Sequence, residues 1–189
     1  MTSFTAVLDA CVLYPAPLRD LLLQLSLAGL YRARWTDEIH DEWMAALLSR
    51  RRDLTRAQLD RTRALMNQSG LDCLVTGYAN LVEGLQLPDK FDRHVLAAAI
   101  RCGAAVIVTF NRRDFPTAYL GQFGIEAQHP DEFIADLIDA DRERALESVR
   151  RVRSRLRNPP LSTDEYLDIL SRQALPATVA ALERHRTSI

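Results

Sequence analysis

The chain has 189 residues, 24 Lys plus Arg against 25 Asp plus Glu, and a formal net charge of −1. That length can bury a core without disulfides or a structural metal, with room for one domain and a small appendage. Apolar and charged fractions of 48% and 26% speak against a disordered chain, and the near-zero charge excludes a blanket basic coat but not a local basic face.

The opening MTSFTAVLDACVLY has no basic segment ahead of its apolar run and carries an acid inside it, so it does not read as a secretory signal. Residues 4–8 are apolar and end at Asp9, the pattern of a buried strand with an acid at its carboxyl end. Pro15 and Pro17 open a turn. Leu18 to Tyr31 reads as a helix ending near Gly29. Its apolar stretch from Leu21 to Leu30 is broken by Gln24 and Ser26 and is too short to cross a bilayer. A cytoplasmic protein with no membrane partner is therefore expected. Thr36 is placed to cap a helix running through Glu42 to about Ser49. Thr55 with Gln58 forms a capping box, with Leu54 and Leu59 at the staple positions, for a helix to about Met66.

Leu71 to Val75 reads as a second short strand, and Ala79 to Leu85 as a short helix. Pro88, Asp89 and Asp92 precede an apolar helix, His94 to Arg101, stopped by Gly103. Ala105 to Thr109 is the most strand-like segment, and Gly124 to Gln128 a weak edge strand. Asp131 starts another helix. Strands alternating with helices predict an α/β fold, a three-layer α/β/α sandwich around a mainly parallel sheet, with ligands bound beyond the carboxyl ends of the strands.

After about residue 136 no further strand is read. Residues 142–157 hold seven Arg and two Glu, Asn158-Pro159-Pro160 breaks the helix, and Ser162 with Glu165 forms a second capping box. A last helix covers about Ala177 to His185. These features predict a domain over 1–135 and a helical appendage over 136–189. Leu146, Val149, Val152 and Leu156 form an apolar stripe that must be buried on the same chain, on a second copy or on another protein.

Acids fall beside apolar elements in four places: Asp9; Glu38 and Glu42, one helical turn apart; Asp89 and Asp92; and Asp114, in a turn with Thr109 and Asn111. Converging carboxylates repel unless a cation lies between them, and hard oxygen donors select Mg²⁺ or Mn²⁺ over zinc. Each acid alone has an ordinary role as a cap, turn former or solvated charge; the set at element ends is what points to a metal site. His40 and His94 stand beside the acids, where packing or solvent-facing roles outweigh that of a proton shuttle. Cys11, Cys73 and Cys102 are odd in number and widely spaced, which suits neither a disulfide framework nor a zinc site. No glycine-rich phosphate loop or nucleophile elbow is present.

Residues 4–135 resemble the PIN-domain family, in particular the bacterial branch that includes toxin ribonucleases of the VapC type. VLDACVL resembles its opening strand, Ile39 to Glu42 its second acid motif, PDKFDRHVLAAA its third and AVIVTFNRRDF its fourth. The resemblance implies Asp9, Glu42 and Asp92 as catalytic and metal-binding residues, with Asn111 and Asp114 as further ligands and Thr109, Asp89 and Cys11 in support. It implies Mg²⁺- or Mn²⁺-dependent hydrolysis of RNA, with Arg112 and Arg113 meeting the phosphates. A small antitoxin protein and a homodimer are partners to expect.

Two departures stand out. Asn111 replaces a usual Asp and brings no charge, and Cys11 replaces a usual Asn, Thr or Ser, where simple packing below the site is its plainest role. The first leaves open a catalytically weakened module that binds RNA or protein. An α/β phosphatase, which also starts on an Asp-ended strand, needs a second Asp two residues on, where this chain has Cys11.

Overall fold

The computed structural model describes residues 4–70 and 72–189. In chain order the elements are β1 (Thr5–Leu8), α1 (Ala10–Leu13), α2 (Ala16–Leu27), β2 (Arg32–Arg34), α3 (Asp37–Arg50), α4 (Arg56–Gln68), α5 (Ala79–Val82), α6 (Arg93–Cys102), β3 (Val106–Val108), α7 (Thr117–Leu120), β4 (Glu126–Gln128), α8 (Pro130–Ala140), α9 (Arg142–Arg155), α10 (Thr163–Ser171) and α11 (Pro176–Glu183). Single 3₁₀ turns cover Lys90–Asp92 and Arg112–Asp114. The chain forms two compact units. One comprises the residues up to Tyr14 with Arg32–His129; the other comprises Pro15–Tyr31 with Pro130–Ile189.

The first unit has the expected α/β architecture. Its four strands are all parallel in the order β2-β1-β3-β4. β1 and β3 are central and wholly buried, which is why both read as continuous apolar runs rather than alternating ones. The register pairs Leu8 with Val108, and the ladder continues one step through the Asp9 amide, which donates to the Val108 carbonyl at 3.1 Å. Asp9 and Thr109 thus leave neighbouring strands side by side.

The strand expected over Leu71–Val75 is a correction. Leu71 lies outside the described residues, and the remainder contributes one isolated bridge, Leu74 to Trp35. Asp72 has φ +59, and a left-handed residue cannot continue an extended strand. The helix expected over Leu18–Tyr31 runs instead from Ala16 to Leu27, because Pro17 occupies its first turn and Gly29 turns the chain out with φ +79.

α3 is held by a buried polar network. Trp43 Nε1 donates to His40 Nδ1 at 3.1 Å, so His40 carries its proton on Nε2 and donates it to Asn67 Oδ1 at 3.0 Å. Trp35 Nε1 donates to the same oxygen at 2.8 Å. The Thr36 hydroxyl accepts from the Ile39 amide at 3.0 Å and caps the helix. His40 is a packing residue, and burial pushes its pKa down.

The second unit is helical. α2 packs on α9, and α8 packs on both α9 and α11. Leu146, Val149 and Val152 of the predicted stripe are buried inside this unit, so the stripe offers no face to a second copy; Leu156 lies just past the helix end and is 36% exposed. Three of the seven arginines over residues 142–157 are met locally, Arg150 and Arg151 by Glu147 and Arg144 by Asp141. A cut between residues 135 and 136 falls inside α8, a continuous helix whose Phe133, Ile134, Leu137 and Ile138 are all buried.

One carboxylate ties this unit together. Asp131, on α8 and only 7% exposed, accepts from the amides of Thr178 at 2.7 Å and Ala177 at 2.9 Å. It supplies from outside the N-terminal cap that α11, with no side-chain cap of its own, lacks. Asp131→Ala should therefore cost the second unit about 2–3 kcal/mol, as expected for buried amides left beside a missing charged acceptor. Denaturant unfolding followed by helical signal checks this; an unchanged midpoint would contradict it.

Candidate active site

Asp9 follows β1 and caps the short helix α1, its Oδ1 accepting from the Ala10 amide at 2.6 Å. Its Oδ2 accepts from the Thr109 hydroxyl at 2.7 Å and from the Cys11 thiol at 3.1 Å. Thr109, fully buried, in turn accepts from the Asn111 amide at 2.9 Å and, facing an acceptor-only carboxylate, donates its hydroxyl proton to Asp9. Asp9 is 5% exposed and held on three sides, yet a carboxylate has about four lone-pair directions, and one on Oδ1 remains.

Cys11 does more than pack below the site. Its sulfur donates to Asp9 and accepts from the Phe110 amide at 3.3 Å. Burial, reinforced by the Asp9 charge, pushes its pKa well above the usual thiol range. In this setting the thiol is a neutral donor to Asp9.

α3 sorts its four acids by helical spacing. Asp37 and Asp41 both pair with Arg63, the second at 2.9 Å. Glu38 and Glu42 lie on the adjoining stripe and face His94 instead. Glu42 Oε1 is 2.8 Å from His94 Nε2, and Glu38 Oε2 is 3.7 Å from His94 Nδ1. Glu38 also accepts from the Tyr78 hydroxyl at 3.3 Å. His94 is 4% exposed. Burial disfavours its charged form, but the Glu42 hydrogen bond and the charges of Glu42, Glu38 and Asp9 outweigh that and raise its pKa. His94 is thus neither solvent-facing nor simple packing: it orients Glu42. The sequence offered no signal for this pair, because the partners lie 52 residues apart.

Asp92 ends the 3₁₀ turn and precedes α6, but its side chain makes no capping bond. Asp89 does the local capping, accepting from the Phe91 amide at 2.8 Å. Freed of that task, Asp92 sits among like charges. Its pKa is pushed up to about 7, first by burial and then by Asp9, Asp114, Asp89 and Glu42. Asp9, Glu42 and Asp92 therefore share one electrostatic environment, and Asp114 joins them. Asn111 is exposed and contributes its backbone amide rather than its side chain to the Thr109 bond. Arg112 and Arg113 are exposed on the turn that carries Asp114. Among the described residues, no three His, Cys, Asp or Glu side chains are gathered tightly enough to close around an ion as they stand.

Comparison with known proteins follows this geometry. A family model described as "PIN domain" matches residues 5–113, more than half the chain. The chain belongs to the PIN-domain family. A second model, the VapC50 C-terminal domain, matches residues 130–184. Among curated proteins, "Putative ribonuclease VapC50" of Mycobacterium tuberculosis (strain ATCC 25618 / H37Rv) is 38% identical over 97 residues. That match covers 51% of this PIN protein and 57% of the relative's own length. No solved structure matches the chain. Among the described residues, no helix is long and apolar enough to cross a membrane.

The crowding of Asp92 has a sign that can be tested without activity. A carboxyl whose pKa is raised from the ordinary aspartate range to about 7 in the folded protein gains protons on folding, so its charged form opposes folding above pH 7 and the penalty fades as pH falls through 7 toward about 4. In chelator, Asp92→Asn should raise the melting temperature at pH 8 and gain progressively less below pH 7. A variant that melts with the wild type across this range would show that burial and the neighbouring acids do not together raise the Asp92 pKa.

Proposed function

We propose that this chain is a Mg²⁺- or Mn²⁺-dependent endoribonuclease, the toxin half of a toxin–antitoxin pair acting in the cytoplasm. The observation that carries the reading is the convergence of Asp9, Asp114 and Glu42 on Asp92 in a PIN fold, supported by the relative whose name reads ribonuclease. The donors are hard oxygens, and the repulsion that raises Asp92 is what a divalent cation would relieve. The residues present fit such an ion. Asp9 and Asp92 would hold it, with Glu42 as ligand or as the group that orients the attacking water. A bound divalent cation supplies positive charge to a phosphodiester oxygen and favours hydroxide over water at neutral pH.

The rest is done by side chains of the chain. Thr109 and Cys11 fix Asp9 in one orientation, and His94 fixes Glu42. Arg112 and Arg113 bring positive charge to the turn beside the acids, where an RNA backbone needs it. The weakened-module alternative rested on Asn111; Asp114 supplies the missing charge near Asp92, which favours the enzyme. We assign the chemistry to the PIN unit. The carboxyl-terminal helices, which carry none of the candidate ligands, serve the fold, burying Leu146, Val149 and Val152.

Purified full-length protein should cleave single-stranded RNA with Mn²⁺ or Mg²⁺ and stop in chelator. Asp9→Asn should lose more than about a hundredfold in rate, beyond the 10–100-fold typical of outer-sphere partners. Full activity in chelator or in Asp9→Asn would refute the mechanism. By calorimetric titration, Asp114→Ala should weaken Mn²⁺ binding while Asn111→Asp tightens it, following the charge count of the site. No change in either would place this turn outside the ion's reach.

A further inference from the structure

Beside the acids lies a cavity of about 330 Å³ whose lining includes Tyr14, Trp43, Ala46, Arg50, Glu42 and Cys11. It is continuous with the candidate site, since Glu42 and Cys11 belong to both. Three of its wall residues, Glu42, Ala46 and Arg50, stand four residues apart on α3 and so form one stripe. That stripe reads acid, small residue, cation over about 12 Å. The small residue leaves the room, and the aromatic rings of Tyr14 and Trp43 border it.

Two groups on this wall have nothing to do within the fold. Three arginines of the neighbouring segments are spoken for, Arg51 by Asp53, Arg56 by Asp60 and Arg63 by Asp37 and Asp41. Arg50, exposed at the end of the stripe, has no carboxylate partner among the described residues. The half-buried Tyr14 side chain likewise makes no hydrogen bond there.

We infer that this cavity holds the base of the nucleotide next to the scissile phosphate, with Arg50 meeting the phosphate that follows. The inference rests on the ribonuclease reading above and adds to it where the substrate is gripped. The half-buried Tyr14 ring, backed by the buried Trp43, offers stacking to any base, a free guanidinium answers the next backbone charge, and the volume suits one nucleoside rather than a peptide segment. Because stacking is tolerant of base identity, this site sets affinity and register more than sequence.

The test fills the cavity without touching a candidate ligand. Ala46→Leu keeps a good helix former and places a larger side chain in the space. With Mn²⁺ and single-stranded RNA, KM should rise about tenfold, within the range of one lost stacking contact, while kcat stays within about twofold. Arg50→Gln should raise KM and flatten its salt dependence. An oligonucleotide with one abasic nucleotide beside the cut should be cleaved equally well by wild type and Ala46→Leu, because neither can then use the cavity. RNA affinity measured by anisotropy in an Asp9→Asn background should show the same loss without any turnover. Equal penalties on intact and abasic RNA, or an unchanged affinity, would overturn the cavity as a base site. Wild-type protein that cleaves no RNA would instead overturn the ribonuclease reading, and the anisotropy measurement would still report on the cavity.

Discussion

One register between two parallel strands sets the site. Leu8 pairs with Val108, so the next residues out, Asp9 and Thr109, leave the sheet together and their side chains meet at 2.7 Å. In a strand the side chain period is two, so a slip of one residue would turn one partner to the other face and break the bond. Both strands are central and fully buried, which makes such a slip costly. The same pairing brings Cys11, the second residue of α1, against the Phe110 amide. The sheet thus delivers a carboxylate whose orientation is already decided before any ligand arrives.

The second constraint is repulsion. A fold that gathers Asp9, Glu42, Asp92 and Asp114 is less stable without a counter-charge than one that scatters them. The chain manages this in two ways. Acids not needed at the centre are neutralised, as Asp37 and Asp41 are by Arg63. Those at the centre are given donors, Asp9 from a hydroxyl, a thiol and an amide, and Glu42 from His94. Asp92 makes no capping bond, and burial with the neighbouring charges raises its pKa. A stable fold and a strained carboxylate in one place is the arrangement expected of a metal-binding site.

What could be read from the amino-acid order was local. A continuous apolar run ending in Asp9, a Thr36 cap and the Thr55 and Ser162 capping boxes all depend on neighbours within four residues, and all are formed. What could not be read was set at a distance or by unusual backbone. The Leu71–Val75 strand gives way to one bridge because Asp72 is left-handed, a conformation Asp adopts more readily than most residues but which the surrounding apolar run masked. The charge of Asp114, carried on a 3₁₀ turn after Asn111, is the one felt at Asp92. His94 finds Glu42 from another helix, and α2, early in the chain, packs with α9. Resemblance to a family carried the choice of Asp9, Glu42 and Asp92 out of many acids; residue chemistry alone narrowed it only to four segments.

The central claim is that these carboxylates form a divalent cation site. Crystals of the full-length protein soaked in Mn²⁺ and measured at the manganese absorption edge would locate the ion directly. An anomalous peak within coordination distance of both Asp9 and Asp92, about 2.0–2.3 Å as for hard oxygen ligands, is the predicted result. Absence of a peak at saturating Mn²⁺, or one bound only elsewhere on the protein, would contradict it.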